Sequence, residues 1–490
     1  MVYYHAINTF QMINCIVHGL SVHANERRIL IVPNFIDRTI PHYLEMKEKY
    51  HFFSDIIVVE YSKYNGKSEE FVENVLERDF DTIFRKYQLD TSDVFYVGAA
   101  HYYFSIYLIK KNYDFSIIED GAGLLSRPER LIETINKQKV LSVELLKKYD
   151  LLYLNNEKII SKICMLTEQV ENFNDSLAVD FNIVEEINKL DNDYRNKLLE
   201  FWNCSKNIDA DVNSVVLLTQ NFANLNVLSF EEQIYIYIIF IKIILDNRPL
   251  IIKTHPTDLL YYEELLLDVK VIKEKFPAEL LPFVFSKRPN CIATISSTGI
   301  GPLKGMFNEI ISFEPVIEKE YEKILIYYIV IKLLDFLKIK EIEISNVYEQ
   351  LFRYLWKYDI KQNSTTLVTD TLCENEGNNF KNIIYTNINE DYALYDYYDC
   401  KHIIPININK VFNKKYFYER QDSSFSVLFY GEEKYMDSIK NFTINTEFGN
   451  DIMNISIDKL TDEQLYIKQL EGYIKALENR IEKSKKEKSV

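Results

Sequence analysis

Cysteine pairs are missing. The 490-residue chain holds six cysteines, at positions 15, 164, 204, 291, 373 and 400, and no Cys-x-x-Cys. That spacing argues against a zinc ribbon or a dithiol redox centre, and scattered thiols suit a reducing cytoplasm. Net positive charge is missing as well. The formal charge is −16, and general nucleic-acid binding needs Lys and Arg to displace counterions from phosphates. No apolar run is long enough to cross a bilayer. The greasiest, IYIYIIFIKIIL (234–245), is interrupted by Lys242 and reads as a buried helix. The first twenty residues lack a basic leader and carry His5, Asn8, Gln11 and Asn14, so no secretory signal is expected. Glycine (12) and proline (11) are scarce.

What is present is a globular composition, 47% hydrophobic and 27% charged, with 36 tyrosines and 30 phenylalanines. Such a length exceeds one ordinary core. Over the first 125 residues, strand-like runs at 2–7, 28–34, 55–61, 93–99 and 115–119 alternate with helical patterns at 10–23, 40–50, 67–88 and 100–111. This order predicts a parallel sheet covered on both faces. Residues 126–210 read as mostly helical, with 166–210 as a bridge. A second alternation follows: strands at 214–220, 249–256, 291–296 and 309–314, and helices near 230–246, 259–267 and 300–307.

The expected architecture is therefore α/β. Residues 1–165 form one Rossmann-like domain and 211–330 a second, the two facing across a cleft as in the GT-B outline; two unrelated α/β domains are the alternative. Helices are expected over 331–363 and an accessory α/β module over 364–457. In the tail, 458–490, Leu460, Ile467, Ile474 and Ile481 recur every seven residues, with Leu470 and Leu477 between them. This seam predicts either a self-associating coiled coil, hence a homo-oligomer through 460–481, or a helix packed on its own protein. The terminal KSKKEK reads as a solvated helix end, or as a peripheral contact with anionic lipid at the inner face of a plasma membrane.

Three short stretches carry candidate chemistry. FSIIEDG (115–121) ends a buried strand on Glu119 and Asp120 and turns at Gly121. Ligands of open parallel sheets bind beyond the carboxyl ends of strands, where a carboxylate can take a proton from an attacking hydroxyl. The alternative is a strand-end turn in which Asp120 caps the next segment. LIIKTHPTD (250–258) places His255 and Pro256 after another strand. Imidazole can donate to a phosphate oxygen or, as a cation, stabilise a departing phosphate; a purely structural histidine is the other reading. ATISSTGIGPLKG (293–305) sets Ser296, Ser297 and Thr298 ahead of a helix. These groups suit either an anion cradle or ordinary N-capping. The Asp-x-Asp pairs 79/81, 191/193 and 209/211 read as solvated surface rather than metal ligands.

The order of these stretches, acid–acid–glycine, His-Pro and a hydroxyl triplet, resembles bacterial GT-B sialyltransferases: the lipooligosaccharide sialyltransferases and the related capsular polysialyltransferases. The opening YYHAINTFQ, with Thr9 and Gln11, and VLLTQNF (216–222) resemble the openings of that family's two halves. The likeness spans about residues 1–320. It implies an inverting transfer of sialic acid from CMP-sialic acid to a bacterial surface glycan or glycolipid, of capsule or lipooligosaccharide type. Asp120 is then the base, with Glu119 and Gly121 shaping its turn. His255 is at the CMP phosphate and Pro256 fixes its loop. Ser296, Ser297 and Thr298 hold that phosphate. Thr219 and Gln220 line the donor site, and Glu314 contacts ribose or base. No cofactor or metal is implied, because the leaving group is a monophosphate. Two alternatives stand beside this: a GT-B transferase with another donor, CMP-Kdo or a nucleoside-diphosphate sugar, and a non-catalytic assembly scaffold.

Overall fold

The computed structural model describes residues 1–119, 132, 135, 142–165, 176–204, 207–266, 268–317, 319–371, 380–386, 403–410, 424–439, 441–448 and 451–457. They divide into two compact units. One comprises Met1–Ala210, Glu274–Arg288 and Thr298–Asn308; the other comprises Asp211–Lys273, Pro289–Ser297 and Glu309–Val490.

In the first unit, strands β1 (Val2–His5), β2 (Arg28–Pro33), β3 (Asp55–Val59), β4 (Val94–Val97), β5 (Phe115–Ile118), β6 (Ile159–Cys164) and β7 (Ala178–Asp180) form one sheet in the order β3-β2-β1-β4-β5-β6-β7. Every pairing is parallel, and Val2 lies opposite both Arg28 and Val94. The order reverses between β1 and β4, as in a Rossmann sheet. Helix α1 (Thr9–Val22) starts at Asn8, whose side chain accepts the Gln11 N–H. Helix α2 (Glu69–Phe84) is capped by Ser68, carries Glu69 and Glu70 in its first turn, and buries Val72, Leu76, Phe80 and Phe84. That four-residue spacing puts one apolar stripe on the sheet.

The abundance of aromatics is spent in this core. Phe80, Phe84, Phe104 and Tyr107 stack or tilt against one another. A buried tyrosine still needs a partner for its hydroxyl. Tyr64 donates to Asp79 and Tyr107 to Asp81, and Lys63 and Lys111 pair with the same two carboxylates. The first Asp-x-Asp pair therefore anchors tyrosines.

Two expectations need correction here. The stretch 40–50 holds only the four-residue helix Glu45–Glu48 after a 3-10 turn at Ile36–Arg38. Pro41 lies within it, and the residue before a proline is steered away from helix. Among the described residues of 126–210, which were expected to be mostly helical, β6 and β7 extend the first sheet. These are short runs among charged residues, and pairing along β5 (Phe115 with Ile159, Ile118 with Ile163) makes them strands.

The second unit contains β8 (Val215–Leu218), β9 (Leu250–Lys253), β10 (Val269–Ile272), β11 (Cys291–Thr294) and β12 (Glu309–Ser312), again all parallel, in the order β10-β9-β8-β11-β12. Its switch in order falls between β8 and β11. The greasy run forms helix α3 (Phe230–Ile239) and a π-helical turn over Phe240–Ile244. A Ser229/Glu232 capping box opens it, and Ile234 to Phe240 are buried. The helix expected near 259–267 shrinks to Tyr262–Leu265 and is followed by β10, which sequence patterning had not indicated. The helix expected near 300–307 is a 3-10 helix over Thr298–Met306, with Pro302 inside it, and it belongs to the first unit.

The same unit carries a further sheet of β13 (Glu341–Ser345), β14 (Asp359–Ile360), β15 (Thr366–Thr369), β16 (Asn382–Tyr385), β17 (Ile403–Lys410), β18 (Ser424–Tyr430), β19 (Thr443–Phe448) and β20 (Asp451–Ile457). The order is β14-β13-β15-β16-β18-β17-β20-β19. Pairings from β14 to β16 are parallel and the rest antiparallel. The region 331–363, expected to be helical, is interrupted by β13. Its Glu-Ile-Glu-Ile alternation has the two-residue period of a strand. Helix α4 (Lys323–Phe336) precedes it and is almost wholly buried. The heptad seam of the tail lies outside the described residues.

Candidate functional site

In the second unit, β8 lies between β9 and β11. The stretches that follow these three strands therefore leave the sheet at one carboxyl edge. They are Thr219–Asn221 after β8, His255–Asp258 after β9, and Ser296–Ser297 after β11. Adjacent strands stand about 4.8 Å apart, so the stretches after β8 and β11, some 75 residues distant in the chain, leave from neighbouring strands, and those after β9 and β11 leave from strands roughly 10 Å apart. This edge holds the switch point, where open α/β sheets take their ligands.

The loop after β9 is tied down at several points. Thr219, buried, accepts the His255 backbone N–H at 3.2 Å and donates its hydroxyl to Asp258 Oδ2 at 2.8 Å. Asp258 also receives the Tyr262 hydroxyl at 2.8 Å, Gln233 Nε2 at 3.0 Å and the Leu260 N–H at 3.2 Å. Burial pushes its carboxyl up from the ordinary carboxylate range, and these four hydrogen bonds pull the other way. Gln233 comes from α3 and is itself buried, so the loop hangs on the core helix. The Gln220 N–H donates to Tyr237 Oη, another α3 residue, at 2.6 Å.

His255 is half-buried, and Pro256 beside it is exposed. Its Nδ1 lies 3.0 Å from Thr257 Oγ1 and receives the Thr257 N–H at 3.3 Å. Asn221 Nδ2 donates to Thr257 Oγ1 at 2.6 Å, and Asn224 Nδ2 donates to the Thr257 carbonyl. Among the described residues, Nε2 of His255 has no hydrogen-bond partner. Burial first and the Lys253 charge second hold the imidazole pKa below its usual value.

After β11, Ser296 Oγ lies 2.8 Å from the hydroxyl of Tyr321, which donates to Glu314 Oε2 at 2.5 Å. Glu314 thus stands behind Ser296, and the Tyr321 ring packs on Phe222 with 4.3 Å between centroids. Thr298 opens the 3-10 helix. In the first unit, Glu119 follows β5. Its backbone N–H donates to the Ile163 carbonyl at 2.9 Å, and its carboxylate accepts the Met165 N–H at 3.0 Å. Glu119 therefore ties the end of β5 to the end of β6. Asp120 and Gly121 lie outside the described residues. Gln11 closes the turn after β1 by accepting the Ile7 N–H at 2.8 Å.

The structure thus brings Thr219, Gln220, His255, Pro256, Ser296 and Ser297 to one sheet edge. Sequence reading missed Asn221, Thr257, Asp258, Gln233 and Tyr321. The Thr-Asp directly after His-Pro was the signal available for two of them. Among the described residues no cluster of three or more His, Cys, Asp or Glu is arranged to hold a metal ion, and no helix is long and apolar enough to cross a membrane. Of the other Asp-x-Asp residues, Asp191 caps the helix Asn192–Phe201 and Asp193 pairs with Lys197.

Two Rossmann-like parallel sheets in series define the chain as an α/β protein. The family model for alpha-2,8-polysialyltransferases matches residues 20–310, more than half of the chain. The chain belongs to the alpha-2,8-polysialyltransferase family and is a glycosyltransferase. No curated protein matches it. Among solved structures it is similar to UDP-GlcNAc 2-epimerase from Methanocaldococcus jannaschii, at 15% identity and TM-score 0.38, over 66% of this chain and 91% of that one. It is also similar to the glycosyltransferase SnogD from Streptomyces nogalater, at 10% identity and TM-score 0.35, over 67% of this chain and 85% of that one. Likenesses this remote carry no part of the assignment.

Proposed function

We propose that the chain is an inverting sialyltransferase that moves sialic acid from CMP-sialic acid to a hydroxyl of a bacterial surface glycan or glycolipid. The observation that supports this best is His255. Its Nε2 has no protein partner among the described residues, and it sits at the sheet edge from which Ser296 and Ser297 also emerge. Such an edge suits one phosphoryl group. In the reaction Asp120 takes the acceptor hydroxyl proton, the oxygen bonds to the anomeric carbon from the face opposite CMP, and the C–O bond to CMP breaks. The electron pair stays on the phosphate oxygen, whose charge His255 and the Ser296–Thr298 stretch stabilise. Glu119, directly before Asp120 in the chain, ties the end of β5 to the end of β6. Thr219 and Gln220 fix the donor-side loop, and Glu314 acts through Tyr321 on Ser296. A monophosphate leaving group calls for no divalent metal to neutralise a diphosphate.

The same reading places the enzyme in the cytoplasm, with the basic KSKKEK tail as a solvated helix end or as a peripheral contact with the inner face of the plasma membrane. The 460–481 seam makes it a homo-oligomer. Thermal denaturation with CMP, UDP and GDP tests the donor class. CMP alone should raise Tm, and stabilisation by UDP alone sinks the sialic acid reading in favour of a nucleoside-diphosphate sugar. Incubation with CMP-sialic acid and a glycan panel, read by product mass, then identifies the acceptor.

A further inference from the structure

The hydrogen bonds around His255 specify more than its position. A backbone N–H can only donate. Because the Thr257 N–H points at Nδ1 from 3.3 Å, that nitrogen must offer its lone pair. The Thr257 hydroxyl, 3.0 Å from the same nitrogen, accepts from Asn221 Nδ2 at 2.6 Å and so has its own hydrogen free to donate to Nδ1. Asn224 holds the Thr257 carbonyl, which fixes the peptide that carries both donors. The result is a directional chain: Asn221 amide to Thr257 hydroxyl, Thr257 hydroxyl to Nδ1, and the imidazole proton on Nε2, facing away from the loop.

We propose that Thr257 and Asn221 are positioning residues that hold His255 as the neutral Nε2–H tautomer, so that it meets a phosphate oxygen as a hydrogen-bond donor and not as an imidazolium acid. This rests on the phosphate role given to His255 above. A second proton would have to sit on Nδ1, against two donors already aimed there, and that arrangement is repulsive. The charged neighbours are Lys253 at the end of β9 and Asp258 in the same loop. Lys253 disfavours a second positive charge, as does burial. Thr219, Asn221 and Asn224, facing the loop from the β8 side, carry no charge. Neutral imidazole is a competent electrophile where burial and local donors suppress its protonation. The departing phosphate then keeps the electron pair of the broken C–O bond and leaves unprotonated, stabilised by the Nε2–H.

The full-length protein, labelled with 15N in its eight histidines, tests this by imidazole NMR at pH 7, with the His255 signal identified by its loss in His255→Gln. The expected spectrum shows a proton-bearing Nε2 and a bare Nδ1, and the Nε2–H signal moves on addition of CMP. Thr257→Val should raise the His255 pKa toward about 6.5 and admit the other tautomer, while Thr257→Ser restores the wild-type spectrum. Thr257 is exposed, so neither change threatens folding. An Nδ1–H tautomer or a doubly protonated ring at pH 7 in the wild type overturns the proposal whatever CMP does. Unchanged tautomer and pKa in Thr257→Val overturn the role of Thr257. The expected tautomer with no response to CMP, in a protein that CMP still stabilises thermally, overturns the donor role. No stabilisation by CMP at all overturns the functional reading itself.

Discussion

The Thr219 hydroxyl accepts the backbone N–H of His255, 36 residues further along the chain, at 3.2 Å. The same oxygen donates to Asp258 at 2.8 Å. One buried hydroxyl therefore sets the height of the His255 loop above the sheet. Thr219→Val keeps the shape and removes both bonds, leaving a backbone donor and a carboxylate oxygen short of a partner. The expected cost is about 1–3 kcal/mol. A lower Tm and CMP binding weakened about tenfold (some 1.4 kcal/mol in affinity) would check it by scanning and titration calorimetry. Wild-type values for both would show that the loop does not depend on Thr219.

Asp120 is proposed to work on the acceptor side alone. Asp120→Ala should lower transfer by about 10²–10⁴-fold, the usual share of a general base, and leave CMP affinity as in the wild type. Product mass and a CMP titration read the two effects separately. Normal transfer by this variant would end the base assignment.

Two buried histidines in the first unit make stability depend on pH. His5 and His18 each have a pKa lowered to about 3, His5 by burial and His18 by burial and then the neighbouring His23. Folding holds both rings neutral, and the unfolded chain protonates them near pH 6.5. Their contribution is thus complete above pH 6.5 and is lost as pH falls from there toward 3, by up to about 1.4 kcal/mol per pH unit for each ring. Tm should decline from pH 7 to pH 5, and His18→Gln should make the decline shallower. A flat Tm over that range would contradict the burial of neutral histidines.

Lys323, at the start of α4, is 5% exposed and lies 3.0 Å from Asp370 after β15; Tyr327 donates to the same carboxylate at 2.7 Å. Lys323→Met leaves that carboxylate buried without its cation, at a cost of about 3–5 kcal/mol. Lys361 pairs with Glu341 at the surface, and Lys361→Met should leave Tm unchanged. Equal effects of the two substitutions in chemical denaturation would refute the distinction.

The first unit was the more legible of the two. Five of its strands were visible as continuous apolar runs, because strands covered on both faces have no polar side to break the run. The pair β6 and β7 was not, since Ile159–Cys164 carries Ser161 and Lys162 and Ala178–Asp180 is three residues long. Such segments become strands because β5 offers β6 an edge to pair with, and β6 in turn offers one to β7. Likewise β10 is too short for periodicity to separate it from the helix before it, and β13 shows its two-residue period over only five residues after a long helical run. At the site, His255 and Ser296 stood out through local motifs. Asn221, Gln233 and Tyr321 did not, since their roles depend on partners 25 to 36 residues away.

By itself the sequence determined the class of the protein: period and order of apolar runs dictate parallel α/β units, and three short motifs in series point to phosphate and proton chemistry. Only the tertiary structure decided which of those residues stand at one sheet edge. Strand order places β8 between β9 and β11 and so joins two distant loops at one edge, and the direction of a single backbone N–H decides which nitrogen of His255 keeps its proton. Neither can be read along the chain, because sheet order and hydrogen-bond direction arise from contacts between segments that have no sequence proximity.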